Sequence, residues 1–271
     1  MKLIAQLKLN PTPEQAAALF HTLDVANAAC NHISNVAWQQ QVFGKFDLQK
    51  LCYATVRESF GLAAQMTIRC LAKVGDSYKL DRKTQRRYRS HGSIAYDDRI
   101  LSFNLLAPSV SIWTTSGRQA IPFVAGVRQM RLLASRQGET DLVYRRGAFY
   151  LLATCNVDEP TPAVVDTALG VDLGVSNIAT TSDGDMVSGS HIKNVRYRHR
   201  RLRTKLQKKG TKAARRRLKQ LAGQERRFAT DTNHVIAKRL VQQAKRTNRA
   251  IALEDLTHIR SRYSGPPVKH T

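Results

Sequence analysis

The N-terminal part of the chain shows two successive hydrophobic periods. Residues 2–11 (KLIAQLKLNP) alternate apolar and polar side chains, which predicts a short strand that ends at the proline. The next residues place apolar side chains at helical spacing, with Thr12 as a suitable N-cap and Pro13 in the first turn. The helical pattern then continues with an interruption near Gly61. Residues 12 to about 85 are therefore predicted to be mostly helical.

Between Ser93 and Val157 the pattern changes to short β-like segments. Their sequences are SIAYD, ILSFNLL, SVSIWTT, RQAIPFV and TDLVYRRGAFYLLATCNV. Turn-forming residues recur between or within them at Pro108, Ser116-Gly117, Gly138 and Arg146-Gly147. This cadence of short strands and turns is typical of a small barrel or sandwich.

The C-terminal part combines strand and helix signals. Residues 168–190 contain two apolar runs and a third short segment around an SDGD turn, which predicts an antiparallel meander. A strongly basic helical stretch follows over residues 191–227, and residues 228–248 carry an apolar helical face. The run AIALEDL, which begins at Ala250, then predicts a second buried strand.

The net charge of the chain indicates which class of partner the protein binds. The 271 residues include 44 Lys and Arg against 20 Asp and Glu, a formal net charge of +24. Such an excess repels itself unless a polyanion neutralises it, and nucleic acid is the commonest such partner. A membrane surface would also attract it. However, no apolar run approaches the length that spans a bilayer, and the N-terminus has no signal-peptide pattern. We expect a cytoplasmic protein without a membrane partner; its oligomeric state is left open.

The cysteines indicate neither a disulfide framework nor a zinc site. Cys30, Cys52, Cys70 and Cys155 are widely spaced, and no CxxC pair is present. We therefore expect no zinc, and we expect the four thiols to be buried and free.

Two acidic residues in apolar runs are the candidate chemistry. Asp172 lies in an apolar run between Gly170 and Gly174, and Glu254 directly follows the apolar residues of the run IALE. A buried carboxylate is costly, and two would repel one another unless a metal ion lay between them. Mg²⁺ (or Mn²⁺) held by one or two carboxylates and phosphate oxygens is one solution. The alternative is that each acid ends its strand and contacts water. An RNase H-like order of meander, helix and parallel strand would bring both acids to the same end of neighbouring strands.

Two basic segments are candidates for contact with phosphate. Residues 191–227 contain 16 Lys and Arg and a single acid, Glu225, a density that favours contact with a phosphate backbone over a merely solvated helix face. The segment RKTQRRYRSHG at 82–92 is a second candidate, with Tyr88 able to stack on a base. Nothing in either segment distinguishes RNA from DNA. The candidate nucleic-acid-binding residues are Arg82, Lys83, Arg86, Arg87, Tyr88, Arg196, Tyr197, Arg198, Arg200, Arg201, Arg203, Lys205, Lys208, Lys209, Arg215, Arg216 and Arg217.

Several of these stretches together resemble a known family. GVDLGVSNIAT at 170–180, the Arg/Lys-rich long helix and IALEDL, with KLNPTPEQAAAL and NHISNVAW near the N-terminus, resemble the TnpB/OrfB-type proteins of insertion sequences. These are transposon-encoded RNA-guided DNA endonucleases, relatives of the type V CRISPR effectors. The resemblance implies guide RNA and target DNA as partners, Mg²⁺ (or Mn²⁺) as cofactor and a location in the prokaryotic cytosol or nucleoid. It matches Asp172 and Glu254 to the first and second catalytic carboxylates.

The resemblance also implies an α+β multi-domain fold. Residues 1–11 with 90–165 would form a wedge-like β-barrel, residues 12–89 a helical recognition lobe, and residues 166–271 an incomplete RuvC-type, RNase H-like nuclease domain. Family members carry a zinc ribbon with two CxxC pairs and a third catalytic aspartate beyond the second acid, and neither is found in this sequence. We therefore expect a C-terminally truncated copy with impaired DNA cleavage. The alternative is a catalytically inactive RNA-guided DNA-binding protein.

A kinase of the actin/hexokinase type is a further alternative, because its first phosphate loop also reads G-x-D-x-G. That class needs a second, duplicated half and more glycine-rich loops, which this chain does not provide.

Overall fold

A computed structural model gives the fold and describes residues 1–255. The chain divides into two compact units, the first of which is Met1–Pro160 and the second of which begins at Thr161. The predicted mixture of helix and sheet is confirmed. Part of the predicted 166–271 domain lies outside the described residues. Among those that are described, no helix has the length and apolar content needed to cross a membrane.

The first unit consists of three long helices and a seven-stranded, nearly closed sheet. Its elements are β1 (Lys2–Leu9), α1 (Pro13–Gln40), α2 (Lys45–Phe60), α3 (Ala64–Leu80), β2 (Ile94–Tyr96), β3 (Leu101–Asn104), β4 (Ser109–Thr114), β5 (Gly117–Val124), the short helix α4 (Val127–Leu133), β6 (Arg136–Arg145) and β7 (Ala148–Asn156). The strand order is β2-β6-β7-β1-β5-β4-β3, and all pairs are antiparallel. The short α4 was not predicted, because its seven residues are too few to show a helical period.

One apolar core fills this unit. Alternate residues of β1, such as Leu7, are buried against the same cluster as Leu23 of α1 and Leu71 of α3. The four cysteines are buried and free, as predicted.

The start of α1 follows the predicted cap. The Gln15 N–H donates to Thr12 Oγ1 (3.3 Å), and the Thr12 N–H donates to Gln15 Oε1 (3.1 Å), which forms a reciprocal capping box. The Gln15 side chain also donates to the carbonyl of Ala120 in β5 (2.9 Å), so the cap ties the helix to the sheet.

Replacing Thr12 with alanine is expected to lower the free energy of unfolding by about 1 kcal/mol, because one helix N–H group loses its acceptor. Chemical denaturation of the two proteins measures the difference. Thr12→Ser is the matched control, since serine keeps the hydroxyl, and it should unfold close to the parent. Equal losses in both variants would show that the cap does not stabilise the helix.

The second unit pairs a four-stranded sheet with a helical hairpin. Its elements are β8 (Ala168–Asp172), β9 (Asn177–Thr181), β10 (Met186–Ser188), α5 (Ser190–Lys209), α6 (Lys212–Arg246) and β11 (Ala250–Leu253). The sheet order is β10-β9-β8-β11, with β11 parallel to β8 and the other pairs antiparallel. The predicted meander, helical stretch and returning strand are therefore confirmed as elements.

The face of this sheet that α6 covers carries the core of the unit. Leu169, Val171 and Ala179 from the strands are buried in one cluster with Ala244 of α6. Ile236 and Leu240, which belong to the predicted apolar helical face, pack against the cluster.

The predicted long basic helix is wrong in one respect, because the chain forms two helices there. Gly210 has a left-handed backbone (φ 63°), which ends α5, and the Thr211 side chain caps the next helix by accepting from the Ala214 N–H (3.2 Å). Helix α6 then runs without a break through the end of the basic stretch and the apolar-faced segment.

Candidate metal and nucleic-acid site

The register of two parallel strands brings the candidate acids together. The pairing runs from Ala250 opposite Ala168 to Leu253 opposite Val171. Continued by one residue, this register sets Glu254 beside Asp172, where β8 ends. Parallel neighbours in register project their side chains to the same face of a sheet, so the extended register predicts both carboxylates at one end and on one face.

That face is opposite the one covered by α6. Leu169 and Val171 are buried against the helix, and strand alternation therefore directs Gly170 and Asp172 to the other side. On β9 the residue paired with Asp172 is Thr180.

The prediction that these acids lie in buried strands is wrong. Asp172 is the last residue of β8 and is exposed, and all four residues of β11 and Glu254 are exposed as well. A continuous apolar run predicts burial on both faces, whereas only the face toward α6 is covered. In water two carboxylates at neighbouring strand ends repel weakly, so the fold tolerates them without a metal ion.

A clamp at the opposite end of β8 and β11 from these acids was not predicted, because the sequence pattern assigns Asp183 and Asp185 only to turn formation. Arg249, directly before β11, donates from Nη1 to Asp183 Oδ1 (2.8 Å) and from Nη2 to Oδ2. Gln243 of α6 donates to Asp183 (3.0 Å) and to Asp185 (2.9 Å). The turn after β9 is thus fastened to the residues that lead into β11, which holds that strand in register with β8.

The Asp183 clamp gives the second unit an acid-sensitive element. Hydrogen bonds from Arg249 lower the pKa of Asp183 below its ordinary value. The contribution of this carboxylate to stability is therefore present above the ordinary aspartate pKa and is lost as pH falls through the lowered one. Asp183→Asn should reduce the unfolding temperature at neutral pH, and its difference from the parent should shrink as pH falls below about 4.

Thermal unfolding between pH 2.5 and 7 measures this difference. Asp166→Asn, which neutralises an exposed acid before β8, serves as the control and should leave the profile unchanged. A difference between Asp183→Asn and the parent that stays constant over the whole pH range would contradict the assignment.

The predicted cations of the second unit lie on the helical hairpin. Nine of the predicted residues are on α5 and three are on α6, and no residue of α5 is buried. Helix α5 contains no acid, and α6 contains Glu225 and Asp231. Tyr197 is 61% exposed and lies under the Arg201 guanidinium, with 5.8 Å from the guanidinium carbon to the ring centre. The hairpin thus presents cations and the ring of Tyr197 to solvent.

Glu225 joins the two helices of the hairpin. Its Oε1 lies 3.5 Å from His199 Nδ1, and its other oxygen accepts from Arg203 Nη2. Arg203 is therefore partly neutralised within the protein. The sequence signal for this contact was the isolation of Glu225 among 16 cations.

The first basic segment is largely used inside its own unit. The Tyr88 hydroxyl pairs with Ser77 Oγ (2.6 Å), its ring lies under Lys73, and burial raises its pKa to about 12. Arg86 forms an ion pair with Asp81 (3.1 Å). Arg82 lies over the ring of Phe43. Tyr88 therefore packs against the core, which does not favour its predicted role in base stacking, while Lys83 and Arg87 are exposed.

So dense a set of exposed cations is typical of proteins that bind nucleic acid. Comparison with known proteins makes this more specific. The family model OrfB_IS605, described as a probable transposase, matches residues 153–258, which include Asp172, Glu254 and the helical hairpin. The resemblance to the OrfB/TnpB-type family that the sequence predicts is confirmed. A comparison with curated proteins finds no match.

One solved structure supports the fold. The chain is similar to one in the cryo-EM structure of the Cas12f1-sgRNA-target DNA complex, with a TM-score of 0.55 and 12% identity over 94% of this chain and 69% of that chain. A chain in the cryo-EM structure of the CRISPR-Cas12f ternary complex aligns with a TM-score of 0.38 and 12% identity over 93% of this chain and 67% of that chain, and we base no inference on it. At this level of identity the first likeness concerns the fold alone.

Proposed function

We propose that this protein is an RNA-guided, Mg²⁺-dependent DNA endonuclease of the OrfB/TnpB type, with Asp172 and Glu254 as its catalytic carboxylates. The observation that supports the proposal is the parallel register of β8 and β11, which, continued by one residue, aligns Glu254 with Asp172. Guide RNA and target DNA are the proposed partners, and the prokaryotic cytoplasm the proposed location. The family match over residues 153–258 supports the same assignment.

The second unit is proposed to be a RuvC-type, RNase H-like domain. An antiparallel meander, a helical connection and a parallel strand beside the first strand occur in the order that this fold requires. The remaining boundaries, with a wedge-like barrel at 1–11 and 90–165 and a recognition lobe at 12–89, are proposed on the family resemblance.

The donor set suits a hard divalent cation. Mg²⁺ prefers oxygen ligands, keeps several waters and is commonly held by one or two carboxylates together with substrate phosphates. Asp172 and Glu254 would supply the two carboxylates, and Mn²⁺ would accept the same oxygens. No set of three or more His, Cys, Asp or Glu suited to a metal ion occurs within residues 1–255. When bound, the ion supplies Lewis-acid polarisation of a phosphoryl oxygen and activation of water.

The residues of the chain itself position the substrate. The exposed acids leave the C-terminal ends of β8 and β11 open to a phosphodiester, and the Asp183–Arg249 clamp keeps the two strands in register. The cations of α5 and α6 would bind the backbone of the polynucleotide and restrain it. Two carboxylates bind a cation less firmly than three do, so we propose that cleavage is slow relative to binding.

Incubation of the protein with guide RNA, a matching DNA duplex and Mg²⁺ tests the proposal. Guide-dependent nicking that requires Mg²⁺ or Mn²⁺ would support it. Guide-dependent binding without any nicking, even at large protein excess, would overturn the endonuclease assignment and establish binding without cleavage. Absence of both would overturn the family-level function.

A further inference from the structure

A groove runs between the two helices of the basic hairpin. It has a volume of about 930 Å³ and is lined by residues from α5, from α6 and by Ile178 of β9. Pockets of roughly 300–1,000 Å³ are the usual size for a small organic ligand. We refer to this space as the α5–α6 groove.

The groove is open because the residues at the contact between α5 and α6 change along the length of the hairpin. Near the turn between the helices, Ala214 and Leu221 are buried and the seam is closed. Farther from the turn, α6 presents the small side chains of Ala222 and Ala229, both exposed, and α5 presents His199 and Arg203. Small residues facing polar ones leave the space unfilled.

The lining separates an apolar part from a cationic part, and it includes one acid, Glu225, which is paired with His199 and Arg203. Ile192, Val195 and Phe228 line the groove and are only partly exposed. Arg196, Arg200 and Arg226 also line it and are fully on the exposed side of their helices. Within residues 1–255, none of these three arginines forms an ion pair.

This combination fits one chemical class of ligand. A nucleotide carries an anionic phosphate, which suits the arginines, and a flat base, which suits the Phe228 ring and the aliphatic side chains. Tyr197, which also lines the groove, offers a second ring. Bases within a duplex are stacked and paired, so only an unpaired base can enter.

We propose that the α5–α6 groove binds an unpaired nucleotide of a single-stranded nucleic acid, with its base against Phe228 and its flanking phosphates on Arg196 and Arg200. This inference rests on the proposed nucleic-acid function and adds that the hairpin selects single strands over duplexes. The groove contributes a preference for single strands that a merely cationic helix surface does not have.

Filling the groove tests the inference without changing any charge. Ala229→Trp places a ring in the space that the base would occupy and retains every arginine. Affinity for a fluorescent 20-nucleotide single strand should fall about tenfold, and affinity for the matching duplex should change less than twofold. The affinities for single-stranded DNA and for single-stranded RNA are measured separately, which shows which of the two the groove binds. The control Ala213→Trp adds the same ring to an exposed position outside the groove and should leave both affinities unchanged.

The outcomes separate this inference from the proposed function. Equal effects of Ala229→Trp on single strand and duplex, or no effect on either, would overturn the groove assignment while nucleic-acid binding stands. If the parent binds neither substrate, the proposed function fails as well.

A second measurement covers the case in which Ala229→Trp does not fold. A single strand that carries one 4-thiouracil is photocrosslinked to the parent protein, and the attachment site is mapped by mass spectrometry. Attachment at Phe228 or Tyr197 is expected. Attachment confined to other parts of the chain would overturn the inference.

Discussion

Asp172→Asn is expected to slow guide-dependent DNA cleavage on the order of 10³-fold while leaving guide-dependent DNA binding within about twofold of the parent. The substitution keeps the size of the side chain and the exposed end of β8, but it removes one of the two carboxylates proposed to hold the metal ion. Metal stabilisation of phosphoryl transfer contributes several kcal/mol, so the cleavage rate should fall on the order of 10³-fold. Single-turnover nicking with guide RNA and Mg²⁺ measures the rate, and fluorescence anisotropy measures binding.

Asp166→Asn is the matched control for this experiment. It removes the same charge from an exposed residue just before β8, away from the strand end. Cleavage should continue at the parental rate. An Asp172→Asn protein that nicks DNA as fast as the parent would show that the chemistry does not use this carboxylate.

Removing two cations from α5 is expected to weaken binding to any nucleic acid and to reduce its dependence on salt. Arg198 and Lys205 are exposed on α5 and take part in no ion pair among the residues described. If each neutralises one phosphate, the Arg198→Gln/Lys205→Gln variant should lower the slope of log K against log salt by about 1.8 for duplex DNA. Binding titrations at salt concentrations between about 50 and 300 mM measure this slope.

Lys50 and Arg57 of α2 provide a control that is matched in charge and spacing. They are also one Lys and one Arg, both exposed and seven residues apart on one helix. The Lys50→Gln/Arg57→Gln variant should keep the parental salt slope. Equal reductions in slope for the two variants would mean that binding follows net charge rather than the hairpin.

The sequence was most informative where local chemistry decides the structure. The alternation in residues 2–11 and the cap at Thr12 depend on neighbouring residues, and both are confirmed. The proximity of Asp172 and Glu254 could also be anticipated, because parallel strands joined through helices align their C-terminal ends. The split of the basic helix at Gly210 was readable in principle, since glycine after a lysine-rich last turn is a common helix end.

Other features depend on contacts between residues far apart in the chain. The exposure of Asp172 follows from which face of the sheet α6 covers, and hydrophobic pattern alone does not specify one face or two. The Arg249–Asp183 pair and the His199–Glu225 contact join residues separated by 66 and 26 positions. The α5–α6 groove arises where small residues of α6 face polar residues of α5, which no single-helix pattern predicts.

The central claim is that Asp172 and Glu254 together bind a divalent cation, and iron-directed cleavage of the protein tests it most directly. Fe²⁺ replaces Mg²⁺, ascorbate and peroxide generate hydroxyl radicals at the bound ion, and mass spectrometry locates the peptide cuts. Cuts are expected close to residues 172 and 254, suppressed by excess Mg²⁺ and lost in Asp172→Asn. Cuts located elsewhere, or cuts that persist unchanged in Asp172→Asn, would contradict the assignment of this site.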